Sequence, residues 1–192
     1  RSRLRELSRD GGVDPRLFAA GFALLLVAGA TASMVAPAGA QEFGIVSAEF
    51  ESEDPTVIPT GESSTIAYSV PNGGVLPVVA YLEPGSEGVA AEPRRVKVPP
   101  DETVEATITL SAPPETGYYR RYLVEHRYLG VLPTSTIDAL YRVHPWAPIV
   151  AIDALLGVPF YLIAVRLLGS GRVRTRSRDG PSTLDRLLSR YG

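Results

Sequence analysis

"TVEATITL", residues 103–110, alternates without a break: Val104, Ala106, Ile108 and Leu110 fall on one face, and Thr103, Glu105, Thr107 and Thr109 on the other. Successive side chains of a strand point to opposite faces, so this segment reads as a strand with one dry and one wet side. "SSTIAYSV", residues 63–70, repeats the pattern with Ser64, Ile66, Tyr68 and Val70, then stops at the turn cluster "PNGG". "VSAEFE", "VLPVVAYLE" and "RRVKV" supply further strands, separated by "EDPTVIPTGE", "PGSEGVAAEP" and "PPDE". Pro77 places its strand at an edge or a bulge. Six or seven short strands in about 100 residues predict an antiparallel β-sandwich over residues 41–132, with a partly open barrel as the alternative.

The longest strand follows the turn "PPETG". "YYRRYLVEHRYL" sets Tyr118, Arg120, Tyr122, Val124, His126 and Tyr128 on one face, and Tyr119, Arg121, Leu123, Glu125, Arg127 and Leu129 on the other. Tyrosine suits a half-buried pleated surface, Arg stems cover rings, and Arg–Glu pairs across strands account for the charges. A structural strand is the plain reading. Tyr118, Arg120, Tyr122, His126 and Tyr128 also form a candidate interaction face, because Tyr and Arg dominate binding hot spots. Aromatic residues interleaved with arginine would suit a nucleic acid, but residues 41–143 are net −8 and repel phosphate, so no nucleic-acid partner is expected.

Two apolar spans flank this middle. Residues Leu17 to Gln41 contain no charge, and a helix over residues 17–37 matches the ~30 Å hydrocarbon core. Residues 146–168 form the second span, opening on the interfacial Trp146 and ending near Arg166; Pro148 sits in the first turn, and Pro159 lies where a kink is expected. Residues 1–16 carry net +2 and residues 166–192 net +5. By the positive-inside rule both termini are cytoplasmic, the protein is a two-pass protein of the cell membrane, and the middle domain is extracellular. "PAGAQE" offers a signal-peptide cleavage site after Ala40 as the competing reading of the first span. The chain begins at Arg1 rather than methionine, which reads as a piece of a longer polypeptide.

Between sandwich and second span, "PTSTIDALYRVH" sets Ile137, Leu140, Tyr141 and His144 at helical spacing behind a Ser/Thr cap. Residues 133–145 therefore form a short amphipathic connecting helix, lying on the membrane surface or packed beneath the sandwich. Residues 169–192 form the Arg-rich cytoplasmic tail. Arg172, Arg174, Arg176 and Arg178 recur at every second position, a cluster drawn to anionic lipid headgroups at about 1 kcal/mol per charge. "PSTLDRLLSRYG" ends the tail as a short amphipathic helix.

Chemistry is sparse. Cysteine is absent and there are two histidines, His126 and His144, eighteen residues apart. No Gly-rich phosphate loop, metal-ligand pair or nucleophile elbow occurs, so no catalytic residue, metal or cofactor is assigned. Asp153 is the one intramembrane polar group, about 10 Å inside the second span.

The run "APPETGYYRRYLVEHRYLGVLP", then "HPWAPIVAIDALLGVPFYL" and the arginine-rich tail, resembles the C-terminal region of large haloarchaeal proteins grouped with type I signal peptidases, over most of residues 115–178. That family consists of membrane-bound serine peptidases whose nucleophile sits in a Ser-Met-x-Pro motif. The nearest string here is "SMVAP", Ser33 to Pro37, which has an extra residue before proline, and no matching base segment follows. The resemblance thus implies a non-catalytic, membrane-anchored C-terminal region that positions an extracytoplasmic β-domain, with catalysis in an upstream peptidase domain. An acidic exterior fits a halophile. "GESSTIAYSVPNGG" and "PPDETVEATITLSAPPETGYY" are similar to immunoglobulin-like modules of archaeal surface proteins in the CARDB-like style, implying an immunoglobulin-like sandwich and no particular ligand. Expected partners are the lipid bilayer, the upstream peptidase domain and exported proteins; the alternative is a stand-alone envelope protein with an adhesive or structural role.

Overall fold

Strand pairing in the structure, a computed structural model describing residues 14–168, grows outward from the segment that alternates most strictly. Strand β7 (Glu102–Ser111) pairs antiparallel with β3 (Ser63–Asn72) along its whole length, Ile66 opposite Ile108 and Val70 opposite Val104. β5 (Val89–Glu92) closes the other side of this three-stranded sheet. The second sheet has five strands, β2 (Val57–Pro59), β1 (Gly39–Ala48), β8 (Gly117–Leu129), β4 (Val78–Pro84) and β6 (Arg95–Val98), in that order. Every pairing is antiparallel except β1 with β2, which run parallel over three residues. The two facing sheets, with neighbours far apart in sequence, make an immunoglobulin-like β-sandwich rather than a barrel.

Side chains from both sheets interdigitate in the core. Ile45, Val70, Leu82, Ile108, Leu110 and Leu123 are fully buried, and Ala106 lets the sheets approach. The turn "PPDE" places Asp101 at φ 55°, a left-handed conformation that aspartate tolerates better than most residues.

Three local readings are corrected. β1 begins at Gly39, immediately after the first helix, and ends at Ala48, so the tail of "VSAEFE" lies beyond it. β2 and β5 occupy stretches that read as turns; at three and four residues they are too short to show a period. Pro77 does not mark an edge: β4 lies between β8 and β6 and starts one residue later, so the missing N–H falls outside the ladder while the Pro77 carbonyl accepts from Gly130 N at 2.7 Å.

Three helices complete the described residues: α1 (Pro15–Val35), α2 (Thr134–Val143) and α3 (Ala147–Leu168). α1 and α3 are long and apolar enough to cross a membrane. α1 up to Ala23 and α3 from Pro159 belong to one compact unit, and residues Leu24–Val158 to the other, which holds the sandwich. In the sandwich-bearing unit the two helices are tied by Thr31 Oγ1, which donates to Asp153 Oδ2 at 2.6 Å, and Gly157 packs against Val27 so closely that a Cβ would clash. α2 is not capped by serine or threonine: the capping position is Pro133, whose side chain has no acceptor, and Thr134 is already helical.

Removing the Ile108 side chain tests the core. Ile108→Ala should lower the unfolding free energy by about 2–5 kcal/mol, whereas exposed Thr107→Ala should change it by less than about 0.5 kcal/mol, read by denaturant unfolding in detergent micelles.

Candidate functional site: the two faces of strand β8

The outer row of β8 grades from wet to dry. Tyr118 is 63% exposed, and its ring lies over Gly44 of β1, where any larger residue would strike the ring. Arg120 reaches diagonally to Glu42 on β1, Nε to Oε1 at 3.3 Å, and both stay largely in water. Tyr122 is half-buried, and its backbone N–H donates to Ser86 Oγ at 2.9 Å. His126 stands 3.7 Å from Glu83 of β4, edge-on to Tyr141. Tyr128 is fully buried, and its hydroxyl donates to the Pro145 carbonyl at 2.7 Å. The five residues of the candidate interaction face thus share one row, with Tyr118, Arg120 and Tyr122 at its open end.

What covers the dry end is α2 and the start of α3. Ile137 is buried in one cluster with Tyr81 and Tyr128, together with Met34, Ile149 and Ile152. Tyr81 stacks on Tyr141 at 4.1 Å between centroids, and Tyr128 meets both rings edge-on. Such geometries place ring edges on ring faces and add about 0.5–1.5 kcal/mol per pair beyond burial. At the rim, Asp138 accepts from both the Tyr81 hydroxyl and the Arg95 guanidinium. The Tyr81 hydroxyl, more than Arg95, holds the Asp138 carboxyl below its ordinary range, and the same carboxylate raises Arg95. Burial first, and hydrogen bonding to Asp138 second, push the Tyr81 phenol far above its usual value. Tyr128 and Tyr141 shift the same way, chiefly through burial and then through the Glu83 carboxylate; among the described residues nothing meets the buried Tyr141 hydroxyl in full hydrogen-bond geometry, Glu83 included.

The inner row carries charge into the sandwich. Glu125 and Arg127, two residues apart, point into the interior and pair with each other along the strand. Tyr68 of the opposite sheet donates to Glu125 Oε2 at 2.6 Å, and Arg127 Nη1 donates to the Pro71 carbonyl at 2.7 Å. The pair therefore straps one sheet to the other instead of joining adjacent strands as its sequence pattern implied. Burial, then the Glu125 carboxylate, raise the Tyr68 phenol. At the other end of β8, Arg121 donates to the carbonyls of Glu87 and Ser111 at 2.7 and 3.1 Å.

Of the remaining sequence candidates, Asp153 bonds Thr31, while its other carboxylate oxygen is buried with no partner among the described residues. His144 is exposed and accepts from Trp146 N at 3.1 Å, within the α2–α3 joint. Arg172, Arg174, Arg176 and Arg178 lie outside the described residues, as does the helix expected near the C-terminus. Among the described residues no three metal-ligating side chains converge. Sequence reasoning missed Tyr81, Asp138 and Arg95; Asp138 lies 57 residues from Tyr81 and 43 from Arg95, separations that no local pattern encodes.

No protein-family model and no curated protein matches the chain, the signal peptidases included. Among solved structures, it is similar to SSP-19, an MSP-domain-like protein of Caenorhabditis elegans, with 16% identity over 44% of this chain and 77% of that one, at TM-score 0.36. The PapD-like domain 7 of human CEP192 gives 13% identity over 48% and 84%, at TM-score 0.28. A FixG-related protein from Vibrio parahaemolyticus gives 16% over 49% and 98%, at TM-score 0.26.

Two measurements test the faces of β8. Asp138 has a depressed folded value, so its stabilising effect is present above the unfolded carboxylate value near 3.8 and fades as pH falls through the folded one. Asp138→Asn should therefore melt lower than the parent at neutral pH, and the gap should close in acid. On the inner face, Glu125→Gln leaves a buried guanidinium unpaired and should cost about 3–5 kcal/mol, while Glu125→Leu with Arg127→Met should recover most of that loss in denaturant unfolding.

Proposed function

We propose that this chain is a membrane-anchored, non-catalytic positioning module: two helices cross the cell membrane, and the sandwich stands on its outer surface with the open end of β8 available to a partner. The observation that carries the reading is the exposure of apolar side chains along both helices. Phe22, Leu24 and Leu25 on α1, and Val158, Leu162 and Ile163 on α3, are each more than half exposed. In water this would be an unmanageable apolar surface, whereas in hydrocarbon it is the ordinary one. Basic flanks and an acidic middle set the proposed orientation, with both termini in the cytoplasm.

The resemblance of residues 115–178 to signal-peptidase-like proteins supports a finer reading, in which the module belongs to a serine peptidase of the same membrane and holds the β-domain beside exported substrate. A stand-alone envelope protein shares the anchor but has no peptidase. The coding sequence upstream of Arg1 separates them: a Ser plus Lys or His catalytic domain supports the peptidase reading, and its absence removes it.

Topology is tested on intact cells. A membrane-impermeant maleimide should label Thr116→Cys, in the cysteine-free chain, without lysis, and labelling only after lysis overturns the orientation.

A further inference from the structure

From the start of β3 into β4 the chain runs twenty residues, Ser63 to Leu82, without a charge, inside a middle region that is otherwise strongly acidic. Its centre is the loop of residues 73–77, built on Asn72. That side chain is buried; its amide donates to the carbonyls of Leu76, Val98 and Pro99 at 2.9, 3.2 and 2.9 Å, and its oxygen accepts from Gly74 N at 3.0 Å. Two of these bonds hold the loop, through Leu76 and Gly74, and two anchor Asn72 to the end of β6 and the residue after it. Yet the residue it presents at the tip is apolar: Val75 is 87% exposed, and Leu76 beside it 39%. A soluble domain puts polar residues at such a place.

The loop faces α1. A groove of about 730 Å³ separates them, lined by Val75 and Leu76 on one side and by Leu25, Leu26 and Gly29 on the other. From Ser33 to Leu25 the groove follows α1 for about 12 Å. Leu156 also lines it, ten residues beyond Trp146, or about 15 Å along α3, which is half the thickness of the hydrocarbon core. The groove's apolar wall on α1 is continuous with the exposed Leu25 and Leu26, the surface that the anchoring helices offer to lipid.

We infer that the β3–β4 loop is a third membrane-contact element, with Val75 and Leu76 inserted in the outer leaflet and an acyl chain of an outer-leaflet lipid filling the groove against α1. This rests on the membrane-anchored reading, and adds that the sandwich itself is seated in the bilayer. A peptide backbone in hydrocarbon must have its polar groups satisfied; the Asn72 network meets this for Leu76, Val98 and Pro99 at the base of the loop.

The test uses the full chain in nanodiscs of phosphatidylcholine and phosphatidylglycerol, carrying one spin label at Val75→Cys, Val158→Cys or Thr116→Cys. Absence of native cysteine makes each label unique, and all three positions are exposed. Relative accessibility to oxygen, enriched in hydrocarbon, and to a water-soluble nickel complex reports depth. The expected result is that 75 groups with 158 on the lipid side and 116 on the water side. A label at 75 that groups with 116 while 158 remains in lipid overturns the inference and leaves the anchor intact. Should 158 itself report water, the membrane-anchored reading falls and the inference with it.

Discussion

The last five residues of β8 are buried or half-buried on both faces, and most of the molecule's organisation answers that constraint. A strand in a sandwich normally turns one side to water, which permits charge on alternate positions. Here the inner positions hold Glu125 and Arg127, and the outer ones His126 and Tyr128. The inner pair is tolerable because each member finds a further partner on the other sheet, Tyr68 for the carboxylate and Pro71 for the guanidinium. The outer pair is covered because α2 folds back over β4 and β8 and carries Ile137 and Tyr141 with it. Neither arrangement works without its counterpart: a strand strapped inside but uncovered outside would leave Val79, Tyr81 and Tyr128 in water.

Period two made the sandwich legible in the sequence. Ala106, Ile108 and Leu110 are buried as the alternation of residues 103–110 requires, with Val104 half-buried beside them, and Val70 closes the same pattern on β3. Lengths and pairings were less legible. β1 contains Gly44 where alternation would place a larger outward residue, a substitution made by packing against Tyr118 and invisible locally. The two faces of β8 were separable by parity, but parity does not say which face is inside. The Glu125 side is the inner one, because charged groups can be buried when they satisfy one another. Tyr81 and Asp138 lie 57 residues apart, and their hydrogen bond follows from topology alone.

Helix α2 shows how a connecting segment becomes a structural part. Its sequence offered two destinations, the membrane surface or the underside of the sandwich, and the apolar stripe suits either. Tyr141 decides between them. A phenol at the bilayer interface would keep its hydroxyl in water, yet this ring stacks on Tyr81 with its hydroxyl buried. Stacking and the Asp138 bridge to Arg95 both direct the helix to the sheet, so its polar edge remains on the solvent side of the same contact.

That docking bears on how the β-domain is held. Tyr128 bonds the Pro145 carbonyl, His144 accepts from Trp146 N, and α3 begins at Ala147, so the sheet is hydrogen-bonded to the joint from which the second helix starts. α1 enters β1 through a short link from Val35 to Gly39. The second connection is longer, residues 130–146, and is held to the sheet by the packing of α2 and by the Tyr128 bond to Pro145.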